Sequence, residues 1–440
     1  MGSETVGVAV TAAAIDEAWL LESLAGLVAI PSWQGDERAA QEYVAAVMDG
    51  LGMDLDVWEI DEAELSGHPD YATELERKSP LGVVGRMDWD AGAGRGLTGS
   101  GPTGSGATGS GATLILNGHV DVVPPGDRSR WTTPPFRMDV RDGRVYGRGV
   151  LDMKGPLVAG LAGVKAVLDS GIRLRGSLVF HSVIGEEDGG LGTLASVLRG
   201  HTGDGAIVLE PTGLQVANAQ AGALNFRLTV PGKAAHGALR HEGVSALEKF
   251  MLVYGHLMDF ERLRNASVGD SRFESNPAPY PICIGTVQGG EWASSVPEVV
   301  RAEGRFGVGI GEDVRAARRL FEARVAECCA RDDFLRDNPV RVEWWGGQFA
   351  PCETPEDARI VTVARSVVRD LGLGSDGLAA VPYGSDLRHL VNAGGTPGVL
   401  FGPGDVANAH REDESIGVTE LVDGARAVAL AVTRFLGRRT

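Results

Sequence analysis

The sequence predicts an α/β protein whose mixed-sheet domain is interrupted by a smaller α+β domain. Apolar strands alternate with amphipathic helices up to about residue 219 and again from residue 349 onwards. Between these stretches the predicted order changes to strand, helix, two strands, helix and strand, which is the ferredoxin-like order. We therefore predict that segments 1–219 and 349–440 form the main domain and that segment 220–348 is the insertion.

Length and composition bound the class of protein. The chain has 440 residues, of which 43% are hydrophobic and 23% charged, and this suits a globular protein of two or three domains. The 59 acidic residues outnumber the 41 basic ones, and the net charge of −18 argues against a nucleic-acid or anionic-membrane surface. The four cysteines show no CxxC spacing, and the chain has neither a signal-peptide pattern nor an 18-residue apolar run. We expect a cytoplasmic protein with free thiols.

The first segment contains one unusual stretch. Helices are predicted at 14–27 and 37–51, and strands at 55–60 and 81–87. Residues 90–111 are mostly Gly, Ser, Thr and Ala, with Thr-Gly-Ser-Gly written three times. Such a stretch buries too little apolar surface to offset its ordering entropy, so we predict a mobile Gly/Ser-rich loop at 90–112. We favour a neutral insertion over a functional lid.

A pair of polar residues follows the strand predicted at 113–116. The strand runs into His119 and, two residues later, Asp121. In an extended chain residues i and i+2 point to the same side, so the aspartate can orient the imidazole of a metal-bound histidine. Asp152 lies in a Gly-rich turn just before the helix predicted at 157–168. A single His-x-Asp pair is more often a hydrogen-bonded turn than a metal site, so further ligands decide the matter.

The chain supplies such ligands after three further strands, predicted at 176–184, 206–209 and 398–401. Glu186 and Glu187 follow the first of these strands, Glu210 follows the second, and His410 follows the third. Because the carboxyl ends of strands in an open α/β sheet face a common crevice, we expect these side chains to converge. Oxygen and nitrogen donors without sulfur can hold two divalent cations if one carboxylate bridges them. Glu186, next to a ligand, then remains to accept a proton as general base.

The remaining elements complete the two domains. In the insertion we predict strands at 224–230, 281–287, 299–308 and 340–345, and helices at 243–263 and 313–330. In the last segment we predict a helix at 358–371, the strand at 398–401 and a closing helix at 418–436.

Five linked motifs carry the residues described above. They are Gly-His-Val-Asp-Val-Val-Pro, Gly-Arg-Gly-Val-Leu-Asp-Met-Lys-Gly, Gly-Glu-Glu-Asp-Gly-Gly, Leu-Glu-Pro-Thr, and Gly-Pro-Gly-Asp followed by Ala-His. These motifs resemble those of the M20 metallopeptidase and deacylase family, which includes acetylornithine deacetylase and succinyl-diaminopimelate desuccinylase. The resemblance covers nearly the whole chain in the right order. It implies a zinc-aminopeptidase-like catalytic domain and an inserted ferredoxin-like lid and dimerisation domain.

The resemblance also implies roles for individual residues. One zinc ion would be held by His119, Asp152 and Glu210, and the other by Asp152, Glu187 and His410. Glu186 would be the general base, Asp121 would orient His119, and the bond from Asp152 to Met153 would be cis.

Three further residues match parts of the family that meet the substrate. His236, in Gly-Lys-Ala-Ala-His-Gly, resembles a lid histidine that reaches across a dimer to the developing oxyanion. Arg388 resembles an arginine that grips a substrate carboxylate. Ser294 stands where many relatives carry a substrate-contacting asparagine, and this departure puts that contact in doubt.

These observations predict a di-zinc hydrolase, with Co²⁺ as an alternative metal, that cleaves the amide bond of a small N-acyl amino acid or N-acyl amine. We expect a homodimer through the insertion. A dipeptidase or carboxypeptidase of the same family remains the alternative, since both chemistries cleave an amide. A binding protein that had lost the chemistry should lack a ligand or the base, and all six positions are filled. A scaffold recognised through its acidic surface is supported by the charge alone.

Overall fold

The computed structural model describes residues 15–89, 111–274 and 276–438, so the predicted Gly/Ser-rich loop lies almost entirely outside the described residues. The chain divides into two compact units. The first comprises Met1–Asn218, Thr354–Ala379 and Ser385–Thr440, and the second comprises Ala219–Glu353 and Ala380–Gly384. The assignment of segments 1–219, 220–348 and 349–440 to catalytic and lid domains remains a prediction.

Helices and strands alternate in the first part of the chain. The helices are α1 (Glu17–Val28), α2 (Arg38–Gly50), α3 (Glu62–Leu65), α4 (Lys154–Asp169) and α5 (Leu191–Leu198). The strands are β1 (Asp54–Glu59), β2 (Leu81–Asp88), β3 (Thr113–His119), β4 (Asp139–Arg141), β5 (Arg144–Tyr146), β6 (Ser177–Val183), β7 (Gly205–Val208) and β8 (Val216–Gln220). Helix α4 begins three residues before the predicted start, because Pro156 lies in its first turn, where the missing N–H would have no helical partner.

The second unit is built around an antiparallel sheet. The strands of this sheet are β9 (Gly222–Pro231), β10 (Ile282–Gly289), β11 (Val299–Val308) and β12 (Arg341–Phe349). The short strand β13 (Cys352–Glu353) follows β12 in the chain and is not part of this sheet. The helices of the unit are α6 (Ala246–Ala266), α7 (Val314–Ala330) and α8 (Asp333–Asp337). The four long strands follow the order β10-β11-β9-β12, and alternate residues of β9 are buried in one apolar cluster with residues of α6 and α7. The order βαββαβ is the one that the sequence predicted.

The chain then completes the first unit. Its remaining elements are α9 (Arg359–Leu371), β14 (Leu378–Val381), β15 (Gly398–Leu400), β16 (Ser415–Gly417) and α10 (Val418–Leu436). Helix α10 has the predicted bounds. Strands β8 and β14 and the small sheet β16-β5-β4 were not predicted, because these short strands are rich in Ala, polar or charged residues, which favour strands less than the apolar runs of β7 and β15 do.

The main sheet of the first unit is mixed, as predicted. Its strands follow the order β1-β2-β6-β3-β7-β15-β8. The pairs β6–β3, β3–β7 and β7–β15 are parallel, whereas β1–β2, β2–β6 and β15–β8 are antiparallel. Nearly every residue of β3 and β6 is buried, as expected for strands covered on both faces. The parallel strands end at one edge, and this edge carries the candidate site.

Among the described residues, no helix combines the length and the apolar character needed to cross a bilayer.

Candidate metal centre

Acidic residues and histidines gather where the parallel strands of the first unit end. His119 is the last residue of β3, two glutamates follow β6, and a third follows β7. An aspartate precedes α4, and a second histidine lies in the loop after β15. The gathered set is His119, Asp152, Glu186, Glu187, Glu210 and His410.

The carboxylate of Asp152 lies between the two histidines. Its Oδ1 is 3.2 Å from His119 Nε2, and its Oδ2 is 3.1 Å from His410 Nε2. Since one oxygen faces each imidazole, this carboxylate has the arrangement of a ligand that bridges two cations. The peptide bond between Asp152 and Met153 is cis, which confirms this implication of the resemblance.

The other carboxylates fall on either side of Asp152. Glu187 Oε1 is 3.1 Å from His410 Nε2, and Glu210 Oε1 is 4.0 Å from His119 Nε2. Two sets of three residues have ligand atoms that all lie within 4.8 Å of one another. These sets are His119–Asp152–Glu187 and His119–Glu186–Glu210. The sets differ from the contacts above in two ways: they place Glu187 with His119 and not with His410, and they place Glu186, in place of Asp152, with His119 and Glu210. For Glu187 we favour His410, because these two side chains are in direct contact.

Burial and mutual repulsion shape the electrostatics of the carboxylates. Burial first, and then the charge of Asp152, raise the pKa of Glu210 to about 8. Burial and the charge of Glu210 likewise raise the pKa of Glu186 well above its ordinary value. Glu210 Oε1 is buried and has no hydrogen-bond partner among the described residues. Buried carboxylates that repel one another and leave an acceptor unpaired fit a site for divalent cations.

The histidines respond in the opposite direction. Burial alone would lower the pKa of His119, but the surrounding carboxylates, Asp121 foremost, raise it well above its ordinary value. The charge of Glu187 raises the pKa of His410 to about 11 in spite of partial burial. The raised pKa values mean that protonated imidazoles balance part of the negative charge of the carboxylates. A bound cation would balance this charge in their place.

Asp121 contacts the site through two different groups. Its main-chain carbonyl is 2.9 Å from His119 Nδ1, whereas its carboxylate Oδ1 is 3.6 Å from the same nitrogen. Its Oδ2 accepts a hydrogen bond of 3.0 Å from the N–H of Glu187. The carbonyl is thus the nearer partner of the imidazole, and the carboxylate orients the next strand end.

Sequence reasoning missed Glu414. Its Oε1 accepts hydrogen bonds from the N–H groups of Leu151 and Asp152, at 2.9 and 3.2 Å. Its Oε2 pairs with Arg148 Nη1 at 2.5 Å, and both side chains are buried. The sequence offered one signal for Glu414, its position four residues after His410. Its hydrogen-bond partners, among them Arg148 and Leu151, lie more than 260 positions away in the chain.

The two predicted lid residues lie next to each other in the second unit. The N–H of Gly237 donates to the carbonyl of Ser294 at 2.6 Å, and Ser295 forms a β-bridge with His236. His236 Nδ1 accepts a hydrogen bond of 3.1 Å from the N–H of Ala238. His236 and Ser294 are exposed, so both present polar groups at the surface of their unit.

Arg388 lies in the interior of the first unit, with 1% of its surface exposed. Its Nη2 donates to the carbonyl of Gly189 at 2.5 Å, and its Nη1 donates to the carbonyl of Asp70 at 3.4 Å. Both of these hydrogen bonds go to main-chain carbonyls. The contact of Arg388 with a substrate carboxylate remains a prediction.

Comparisons with known proteins identify the family of this chain. The family model described as Peptidase family M20/M25/M40 matches residues 115–434. The chain is 29% identical over 328 residues to N-formyl-4-amino-5-aminomethyl-2-methylpyrimidine deformylase from Halalkalibacterium halodurans, covering 70% of this chain and 76% of that protein. It is 27% identical over 325 residues to a probable succinyl-diaminopimelate desuccinylase from Staphylococcus epidermidis, covering 69% and 78%.

The fold is shared with solved structures. One of them, a di-peptidase from Saccharomyces cerevisiae, superposes with a TM-score of 0.71 at 16% identity, covering 98% of both chains. The family match includes all the gathered acids and histidines. The chain therefore belongs to Peptidase family M20/M25/M40 and is a metal-dependent amidohydrolase.

Proposed function

We propose that the protein is a di-zinc hydrolase that cleaves the amide bond of a small N-acyl amino acid or N-acyl amine. The products would be a free amine and a carboxylate. The observation that carries this proposal is the position of Asp152, whose two carboxylate oxygens face His119 and His410 at 3.2 and 3.1 Å.

Two ligand sets then share this aspartate. His119, Asp152 and Glu210 would hold one ion, and Asp152, Glu187 and His410 the other. Imidazole and carboxylate donors without thiolate suit Zn²⁺, and Co²⁺ could replace it. When bound, the ions would lower the pKa of a water between them and polarise the scissile carbonyl.

Glu186 is the proposed general base. It lies beside Glu187 and is 8% exposed. One of its carboxylate oxygens lies within 4.8 Å of a ring nitrogen of His119 and of a carboxylate oxygen of Glu210. Its burial favours a carboxylate that binds a proton readily. Glu186 would take a proton from the attacking water and deliver it to the leaving nitrogen.

The second unit would supply the lid and the contact with a second copy. Strand β10 lies at the edge of its sheet, and most of its residues are exposed. Nearby apolar side chains are exposed as well; they are Leu247, Met251, Val287 and Trp292. An open strand edge beside exposed apolar side chains favours pairing with another chain. We propose a homodimer in which His236 stabilises the oxyanion that develops in a partner's site.

The names of the curated relatives favour N-acyl substrates, because a deformylase and a desuccinylase both remove an acyl group from nitrogen. The likeness to the yeast di-peptidase is below 25% identity and supports the fold alone. A dipeptidase or carboxypeptidase thus remains the alternative for the assay to exclude.

The test is release of free amine from N-formyl, N-acetyl and N-succinyl substrates, each offered as an amino acid and as a simple amine, with dipeptides alongside. The enzyme is stripped with chelator and then titrated with Zn²⁺ or Co²⁺. We expect activity to return as about two ions bind per chain. Cleavage of dipeptides alone would support the alternative, and a chain that binds no metal would contradict the proposed site.

A further inference from the structure

The turn that carries Glu186 and Glu187 is held between two buried arginines. This turn, residues 185–190, joins β6 to α5. The side chain of Arg77 is 1% exposed, and Arg388 is also 1% exposed. Both arginines connect the turn to segment 70–77, which lies between α3 and β2.

Arg77 holds one side of the turn through Asp188. Its Nη2 is 2.6 Å from Asp188 Oδ1, and its Nη1 is 3.2 Å from Asp188 Oδ2. The same Oδ2 accepts a hydrogen bond from the Thr73 hydroxyl and from the N–H groups of Glu74 and Leu75, each at 3.0 Å. A two-point contact between a guanidinium and a carboxylate fixes the orientation of both groups.

Arg388 holds the other side through the main chain. It donates to the carbonyl of Gly189 in the turn and to the carbonyl of Asp70 in the segment. The turn also touches the segment directly, because a Cβ at Gly189, which has φ +147°, would overlap the carbonyl oxygen of Ala72. The turn thus has little freedom to move relative to segment 70–77.

A second acid completes the arrangement around Arg77. Glu37, which precedes α2, lies 3.2 Å from Arg77 and is also buried. The guanidinium therefore joins α2, segment 70–77 and the turn. Because a buried cation between two buried carboxylates must keep both contacts, it fixes these elements relative to one another.

We propose that Arg77 and Arg388 are positioning residues that set the orientation of Glu186 and Glu187 at the metal centre. This inference rests on the proposed function. It gives Arg388 a role different from the predicted grip on a substrate carboxylate. Neither arginine touches the reacting atoms, and both act through the turn.

The variants Arg77→Lys and Asp188→Asn test the first arginine. Asp188→Asn preserves the size of the side chain and Arg77→Lys preserves its charge, and each removes the two-point contact between charged groups. With folding checked by thermal unfolding, we expect Zn²⁺ affinity, measured by chelator competition, to fall about 10–100-fold. At saturating Zn²⁺, kcat should fall more than KM changes. The control is Arg199→Lys, since Arg199 makes a two-point contact of similar geometry with Asp56, at 2.8 and 2.9 Å, at a more exposed position, and these hydrogen bonds do not involve the turn.

The variant Arg388→Lys separates the two roles of the second arginine. A positioning role lowers Zn²⁺ affinity and lowers kcat equally for N-formyl amino acids and for N-formyl amines, which lack the carboxylate. A grip on the substrate carboxylate instead raises KM for the amino acids alone and leaves Zn²⁺ affinity unchanged, and this result would overturn the inference for Arg388.

The outcomes also distinguish this inference from the proposed function. If the wild-type enzyme binds two zinc ions and releases amine, while folded Arg77→Lys or Asp188→Asn keeps its zinc affinity and kcat, the inference is wrong and the function stands. Where Arg77→Lys does not fold, Asp188→Asn decides alone. A wild-type chain that neither binds zinc nor cleaves an amide would overturn both.

Discussion

The two units place their polar candidates in different surroundings. In the first unit, most of the acids and histidines follow buried parallel strands, and three of the six, His119, Glu186 and Glu210, are themselves buried. In the second unit, His236 and Ser294 lie exposed in the loops that follow β9 and β10. Buried charges must be balanced by opposite charges close by, such as those of bound cations. Exposed side chains such as His236 and Ser294 can instead contact another molecule. The first arrangement therefore fits a metal site, and the second belongs to the proposed homodimer.

The largest effect is expected from Glu186→Gln in the first unit. This change keeps the size of the side chain and removes its ability to accept a proton. We expect kcat to fall about 10²–10⁴-fold, the usual contribution of a general base. Zinc stoichiometry, measured on the purified protein, should stay that of wild type, because Glu186 is not a proposed ligand. Turnover close to wild type would contradict its role, and Glu187→Gln serves as the comparison that should lose metal.

A smaller effect is expected in the second unit. His236→Ala should lower kcat about 10²–10³-fold, as loss of one oxyanion donor does elsewhere, without changing zinc stoichiometry. Ser294→Ala, next to it in the structure, is the matched control and should change kcat far less.

Subunit mixing shows whether His236 acts across a dimer. In a hybrid of Glu186→Gln and His236→Ala chains, one site combines an intact base with an intact histidine from the partner. An equal mixture should therefore regain about a quarter of wild-type activity if dimers exchange freely. If the mixture stays inactive although hybrids form, His236 does not act across the interface.

The same contrast explains how much could be predicted from the sequence. Strands β3 and β6 and helix α10 carry regular apolar patterns, and β7 is a short, continuous apolar run, so the strand ends and the gathered residues followed from them. The Arg77–Asp188 contact spans 111 positions, and no local pattern announces it. Arg388 was assigned from its motif, but its burial and its main-chain partners depend on the packing of distant segments. Local periodicity thus predicts elements, whereas long-range polar contacts appear only in the structure.

The smallest effect is expected on stability, from a buried histidine of the first unit that lies outside the metal centre. His181 on β6 is fully buried, and neither ring nitrogen has a hydrogen-bond partner among the described residues. Burial, helped by the nearby His201, lowers its pKa from 6.5 to about 3. Between these values the unfolded chain binds a proton that the folded chain does not. Stability is therefore lost as the pH falls below about 6.5, by about 1.4 kcal/mol per pH unit from this group.

Replacing His181 isolates this contribution. Urea unfolding of His181→Leu and wild type at several pH values should show the difference in unfolding free energy moving in favour of the variant by about 2 kcal/mol between pH 6.5 and pH 5. The control is the His241→Gln variant, in which an exposed histidine of the second unit is replaced, and the expected change is the excess of His181→Leu over this control. Parallel pH profiles for wild type and His181→Leu would mean that the folded protein accommodates the proton, and that this part of the interior is more polar than its contacts indicate.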